Sequence, residues 1–112
     1  MELKQGNGPY PNDGDFVTIV YTAYLNNGTV FDDINVKGRK PLSFRIGQKQ
    51  FIQGVEDVLF LMQPGAERTC TIPAALAYGS KGVKLPSGDI LVPPDETLRY
   101  YIKLKSVGAG YN

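Results

Sequence analysis

A chain of 112 residues, 42% hydrophobic and 11% aromatic, is long enough to bury one core, and with no break in composition it is expected to form a single domain over residues 1–112. A formal net charge of +1 without a basic cluster argues against nucleic-acid and membrane-surface partners. With no histidine, and Cys70 as the single cysteine, histidine-dependent zinc sites, Ser-His-Asp triads, Cys-His pairs and internal disulfides are excluded.

Met1 to Gly8 reads as a short polar extended segment, and Pro9-Tyr10-Pro11-Asn12-Asp13-Gly14 as a cluster of turn formers. The sequence shows no apolar run of bilayer length and no signal peptide at Met1. A cytoplasmic protein is expected, or one of an organelle lumen such as the plastid's if a targeting segment has been removed. The lone cysteine fits a reducing compartment.

Asp15 to Leu25 is the first strong strand, with Val17, Ile19, Tyr21, Ala23 and Leu25 on one face. Asn26-Asn27-Gly28 predicts a hairpin turn into Thr29-Val30-Phe31, because Asn and Gly accept positive φ cheaply. Asn27-Gly28-Thr29 also matches a glycosylation sequon, although the turn is the more ordinary reading. Asp32 to Lys40 is expected to be a polar loop in which Lys37, Arg39 and Lys40 are solvated. Adjacent Asp32 and Asp33 on an extended segment would point to opposite faces and so would not share a proton. Asp33 reads as a loop-capping or solvated carboxylate, whereas Asp32 follows the aromatic Phe31 and is a candidate for function. Leu42-Ser43-Phe44-Arg45-Ile46 alternates again until Gly47 breaks it.

The spacing of Val55, Val58, Leu59 and Met62 draws an apolar stripe on a helix over 51–62, stopped by Gln63-Pro64-Gly65. Glu56 and Asp57 fall off the stripe near the start, where the dipole favours carboxylates. A helix this short must bury its stripe against a sheet to persist. Ala66 to Ile72 alternates, and Cys70 on its inner side reads as a small buried core residue rather than a nucleophile. Pro73 to Pro94 is a long Gly- and Pro-rich stretch without periodicity, and loops of that length are usually functional. Thr97 to Val107 ends the pattern with Leu98, Tyr100, Ile102 and Leu104 inward and Arg99, Tyr101, Lys103 and Lys105 outward. The expected architecture is α+β, an antiparallel sheet of about five strands curled over one helix. Seven tyrosines, each an apolar body with a polar tip, suit a pocket walled by aromatics and equipped with hydroxyls.

Val20-Tyr21-Thr22, Gly28-Thr29-Val30-Phe31-Asp32, Lys40-Pro41-Leu42-Ser43-Phe44 with Ile46-Gly47, Phe51-Ile52-Gln53-Gly54-Val55-Glu56, Ala77-Tyr78-Gly79 and Pro93-Pro94 with Thr97-Leu98 follow one another along the chain. In that order and spacing the sequence resembles the FKBP-type peptidyl-prolyl cis-trans isomerases over nearly its whole length. The resemblance implies a half-barrel sheet around a short helix, with a substrate pocket at one end of the helix. It also implies that Tyr21, Phe31, Asp32, Leu42, Phe51, Ile52, Val55, Tyr78, Leu91, Val92 and Tyr100 line that pocket. Leu42 stands where an aromatic is common, Tyr100 where phenylalanine is usual, and Val55 where the floor is usually tryptophan; Gly82 to Asp89 carries a small insertion.

The implied activity is isomerisation of X-Pro bonds in proline-containing polypeptides, by a monomer without cofactor or metal, in the manner of a folding chaperone or immunophilin. Phe31, Ile52, Val55 and Tyr100 would enclose the proline ring. Tyr78 would hold a flanking carbonyl, and Tyr21 would orient Asp32. Macrolides of the tacrolimus and rapamycin type are expected ligands. The altered residue at Val55 leaves open the alternative of a catalytically weak binding or chaperone module on the same fold.

Overall fold

The long alternations at the two ends of the chain pair with each other. In the computed structural model, which describes residues 1–34 and 38–108, strand β2 (Phe16–Leu25) runs antiparallel to strand β8 (Leu98–Gly108) along their length. Val17, Ile19, Tyr21 and Ala23 of β2 and Leu98, Tyr100, Ile102 and Leu104 of β8 are buried on one face. Strand β5 (Glu67–Ile72) pairs with the other side of β8, and β1 (Glu2–Lys4) covers β5. The free side of β2 is shared by β3 (Val30–Asp33) and β4 (Leu42–Arg45). Among the described residues the sheet therefore has six strands where about five were expected, because the polar Met1–Gly8 segment, which has no alternation to reveal it, adds an edge strand.

Helix α1 covers Gln53–Leu59, shorter at both ends than the expected 51–62. At its start Ile52 is extended and supplies no side-chain cap. At its end Leu61 and Met62 donate to the carbonyls of Val58 and Leu59 at 2.9 and 3.1 Å, a tightened turn ahead of Pro64, whose ring disfavours helical geometry in Gln63. The apolar stripe still reaches the core: Val55, Leu59 and Met62 are buried, and Val58 is half-buried.

Glu56 departs from its expected place off the stripe. It is 3% exposed, and its carboxylate accepts the backbone N–H groups of Gly47 at 2.5 Å and Phe51 at 3.1 Å. Those bonds compensate for taking a carboxylate out of water. They also fix the connection from β4 to the helix.

Asn26-Asn27-Gly28 forms the expected turn, with Gly28 at φ 92° and the Leu25 N–H donating to Thr29 at 2.8 Å. Asp32 and Asp33, expected in a loop, instead extend β3. Lys37 lies outside the described residues. Cys70 is half-buried rather than fully buried; on the side of β5 away from β8 the sheet ends in the short edge strand β1. The Pro73 to Pro94 stretch contains a 3₁₀ turn over Ala74–Leu76 and a small hairpin of β6 (Val83–Lys84) and β7 (Ile90–Val92), too short to show a period. Among the described residues no helix is long and apolar enough to cross a membrane.

Gly54 is where α1 meets β5, and a methyl group there would overlap Cγ2 of Ile72. That atom is attached to a stiff β-branched side chain that is 2% exposed. Helix propensity alone would make Gly54→Ala stabilising by about 1 kcal/mol. Overpacking, at about 1–3 kcal/mol, should win. Urea denaturation is expected to show a net loss of about 1–2 kcal/mol with an unchanged m-value, and a gain in stability would contradict this packing.

Candidate functional site

The first residues before α1 and the inner face of the sheet enclose a cleft of about 600 Å³. It is lined by Tyr21, Asp32, Lys49, Gln50, Phe51, Ile52, Gln53, Ala77, Tyr78 and Tyr100. Strand alternation delivers Tyr21 from β2 and Tyr100 from β8 to the same face. Phe51 is set by the Glu56 bond to its N–H, and Tyr78 follows the 3₁₀ turn.

The aromatic rings are mutually braced. Phe51 meets Tyr21 edge-on at 5.4 Å between centroids and Tyr100 at 6.4 Å, and Phe44 stacks against Phe51 at 5.5 Å. Tyr100 also packs against Tyr21 at 5.8 Å and Phe31 at 6.4 Å. These offset and edge-to-face arrangements are the favoured ones for aromatic quadrupoles. They hold the polar tips of Tyr21 and Tyr100 in defined places.

The charged member of the cleft is Asp32. Tyr21 donates its hydroxyl to one carboxylate oxygen at 2.6 Å, and Arg39 donates to the other at 2.7 Å and to the Asp33 carbonyl at 3.0 Å. Arg39, expected to be a solvated charge, is thus an anchor. Burial pushes the Asp32 carboxyl upward, but the hydrogen bonds from Tyr21 and Arg39, with the arginine's charge, outweigh it and hold the group below the usual carboxylate range. The tyrosines move the other way. Burial, then the Asp32 bond and charge, raises Tyr21; burial, then the Asp32 charge, raises Tyr78; burial, then the neighbouring Tyr78 and Tyr21, raises Tyr100. All three are neutral hydroxyls at neutral pH, able to donate. Asp33 lies on the opposite face, where its carboxylate accepts from the Thr22 hydroxyl at 3.2 Å, as the alternation of an extended segment requires.

Of the expected pocket residues, Tyr21, Asp32, Phe51, Ile52, Tyr78 and Tyr100 come together on the cleft wall. Phe31, Leu42 and Leu91 are half-buried and pack on the core outside that wall. Val55 and Val92 are 0% and 1% exposed, inside the core. Lys49, Gln50, Gln53, Ala77 and the anchor Arg39 were not among the expected residues. Lys49 and Gln50 could have been suspected from their contiguity with Phe51; Arg39 had no periodic signal, lying in an aperiodic stretch of the sequence.

A larger cleft, of about 760 Å³, opens among outward side chains of the sheet, chiefly Tyr24, Thr69, Thr71, Arg99 and Tyr101. None of the ring contacts among the described residues involves Tyr24 or Tyr101. Tyr101 instead donates to Glu67 at 2.8 Å, and burial together with that bond pushes its hydroxyl up to about 12. The braced donors and the pinned carboxylate belong to the smaller cleft. Among the described residues no group of His, Cys, Asp and Glu could hold a metal ion.

Known proteins resemble this chain over most of its length. Residues 8–105 match the family model of the FKBP-type peptidyl-prolyl cis-trans isomerases. An FK506-binding protein of Neisseria meningitidis is 34% identical over 106 residues, which cover 95% of this chain and 92% of that protein. FK506-binding protein 4 of Dictyostelium discoideum is 39% identical over 105 residues, 94% of this chain but 27% of the relative. The crystal structure of a peptidyl-prolyl cis-trans isomerase from Pseudomonas syringae superposes with a TM-score of 0.81 at 32% identity, covering 96% of this chain and 73% of that one. The chain spans 19–27% of the length of the Dictyostelium relative and of two fungal ones.

Because Asp32 is held below its ordinary value, its bonds stabilise the fold fully above an unfolded-state value of about 4 and fade as pH falls through the lower folded one. Tyr21→Phe removes one of those bonds. It is expected to cost about 1 kcal/mol at pH 7, a figure that allows for the solvent reaching a partly exposed carboxylate. Urea denaturation of both proteins from pH 7 to pH 3 should show the difference shrinking below about pH 4. A difference independent of pH would mean that Tyr21 acts through packing alone.

Proposed function

The chain belongs to the FKBP-type peptidyl-prolyl cis-trans isomerases, and on that premise we propose that it accelerates rotation about X-Pro bonds in proline-containing polypeptides at the Tyr21–Asp32–Tyr78–Tyr100 cleft. The observation that carries this reading is a braced aromatic wall bearing neutral hydroxyl donors and one fixed carboxylate. Such a site suits a reaction in which no covalent bond is made or broken.

A planar amide resists rotation by about 18–20 kcal/mol because of its conjugation, and X-Pro bonds cross that barrier in tens of seconds or longer. As the bond twists, conjugation is lost and the amide becomes less dipolar, hence less dependent on water. An apolar cleft favours the twisted form over the planar one, which is differential binding of the transition state. Phe51, Ile52 and Tyr100 would receive the proline ring, with Phe31 behind Tyr100 and Val55 beneath the wall. The Tyr78 hydroxyl and the backbone N–H of Ile52 would hold carbonyls flanking the bond, while Tyr21 and Arg39 keep Asp32 oriented.

Macrolides of the tacrolimus and rapamycin type would occupy the same cleft, a reading supported by the naming of the relatives as FK506-binding proteins. Such ligands present a proline-like ring and carbonyls, and so ask for the same wall and donors.

Exchange NMR on a Leu-Pro peptide is the test. The wild-type protein should accelerate interconversion, and Tyr78→Phe should lower kcat/KM about tenfold, the scale of one lost hydrogen bond. Asp32→Val should weaken peptide and tacrolimus binding, measured by calorimetric titration, with only a small change in melting temperature. Exchange no faster than in buffer would exclude an isomerase and leave a binding or chaperone module.

A further inference from the structure

Lys49 stands exposed at the rim of the cleft that it helps to line, and the proposed reaction does not use its charge. Its backbone lies in the left-handed region, at φ 58°, which glycine or asparagine occupies with less strain than lysine. The turn that imposes this conformation is pinned on both sides. The Glu56 carboxylate accepts from the N–H groups of Gly47 at 2.5 Å and Phe51 at 3.1 Å, and the Gln50 side chain accepts from the Arg45 N–H at 2.9 Å. Strained residues held in this way gather at ligand clamps and binding sites. Among the described residues the ion pairs are Arg39 with Asp32 and Lys103 with Glu67, so the Lys49 ammonium has no carboxylate partner. Asp32, deeper in the cleft, is already matched by Arg39 at 2.7 Å. The sign of the charge that an approaching peptide meets at this rim is therefore set by Lys49.

We propose that Lys49 is a specificity-determining residue, which selects proline-containing segments that carry an acidic side chain within about three residues of the proline. The reach follows from chain geometry. Lys49 is followed on the same wall by Gln50, Phe51 and Ile52, and three residues of chain span at most about 10 Å. A peptide whose proline ring rests on Phe51 and Ile52 passes the rim with its neighbouring side chains, and the flexible four-carbon stem of lysine brings three donors to meet one of them. A carboxylate there gains a charge-assisted hydrogen bond. Because the rim is exposed, neither ion has to be stripped of its water, so the pair avoids the penalty of a buried one. A basic side chain in the same place meets repulsion instead. Such rim charges discriminate between partners more than they add affinity. The inference rests on the isomerase reading for the seat of the proline, and it adds to that reading the class of segment preferred.

The decisive experiment uses peptides with one Leu-Pro core in which a single Glu or Lys is moved through the other positions near the proline, followed by exchange NMR and by calorimetric titration at low salt. At one position or more, wild type should favour Glu over Lys about threefold to tenfold in kcat/KM and in affinity, the scale of one exposed attraction together with one repulsion. The preference should fall below about twofold in about 0.5 M salt, where exposed charges are screened. Lys49→Gln should remove most of it, Lys49→Glu should reverse it and Lys49→Arg should retain it. Each ratio compares two peptides on one protein, so a variant that folds only in part still reports. Lys105 is exposed on β8, and Lys105→Gln, which changes the net charge equally, should leave the ratio at its wild-type value. No preference at any position in wild type, a preference for Glu that survives Lys49→Glu, or an equal loss in Lys105→Gln would overturn the proposal. If wild type binds the peptides without accelerating exchange, the isomerase reading alone fails, and the ratio of affinities still decides the role of Lys49. If it accelerates exchange in all of them equally, the role of Lys49 alone fails. If it neither binds nor accelerates, both fail.

Discussion

The antiparallel pairing of β2 with β8 is the constraint on which the site depends. Its register sets Tyr21 against Ile102 and Ala23 against Tyr100, and the small Ala23 side chain leaves space for the large ring opposite. Side chains alternate across a strand, so a slip of one residue would send Tyr100 to the outer face and bring Arg99 or Tyr101 inward. What forbids the slip is hydrophobic. Ile19, Leu98, Ile102 and Leu104 are all fully buried in the present register, and each is worth roughly 1.5–3 kcal/mol of burial. The same register thus secures the core and aims two of the cleft's hydroxyls.

The other wall of the cleft is held differently. A helix as short as Gln53–Leu59 has no stability of its own in water, and its N-cap residue, Ile52, offers it no side-chain bond. Three contacts compensate: the burial of Val55 and Leu59, the close seat of Gly54 on Ile72, and the Glu56 carboxylate that gathers the N–H groups of Gly47 and Phe51. The last is the most consequential for function. It ties the incoming loop to the helix and so places Phe51 and Ile52 at the cleft edge. A carboxylate this buried is acceptable only because it is satisfied.

These two modes of construction explain what could be read from the sequence. Alternating strands announce themselves by period, so β2, β5 and β8, and the inward direction of Tyr21 and Tyr100, were legible from the residues alone. Asp32 stood out by its place directly after Phe31, and the family resemblance added Phe51, Ile52 and Tyr78 as candidates. Contacts between distant, aperiodic segments left no trace. Arg39 reaches Asp32 from seven residues further along an aperiodic stretch of sequence, and Glu56 turns inward against the polarity of its side chain because backbone donors wait there. Nor can period distinguish an inward residue that opens on a cleft from one sealed in the core. Tyr100 and Val55 both read as inward, yet only Tyr100 reaches the wall. Where an inner face becomes a cleft is decided by where the covering helix stops, and helix ends are the least legible boundaries in a sequence.

The electrostatic character of the cleft follows from the same burial. Its carboxylate is held below the ordinary range and its tyrosines above theirs. Between those limits no group of this set changes charge, so the field across the cleft is constant over the whole neutral range. Acid–base catalysis needs the opposite, a group poised near the working pH. The rotation proposed here transfers no proton, and what changes along its path is the dipole of one amide. A site that stabilises a changing dipole works best when its own dipoles do not reorganise, and here they are fixed twice over. The rings of Tyr21 and Tyr100 are locked by their aromatic neighbours, and the carboxylate is gripped at both oxygens, by Tyr21 and by Arg39. The residues that make the cleft unreactive toward protons are therefore the ones that suit it to a reaction governed by solvation and shape.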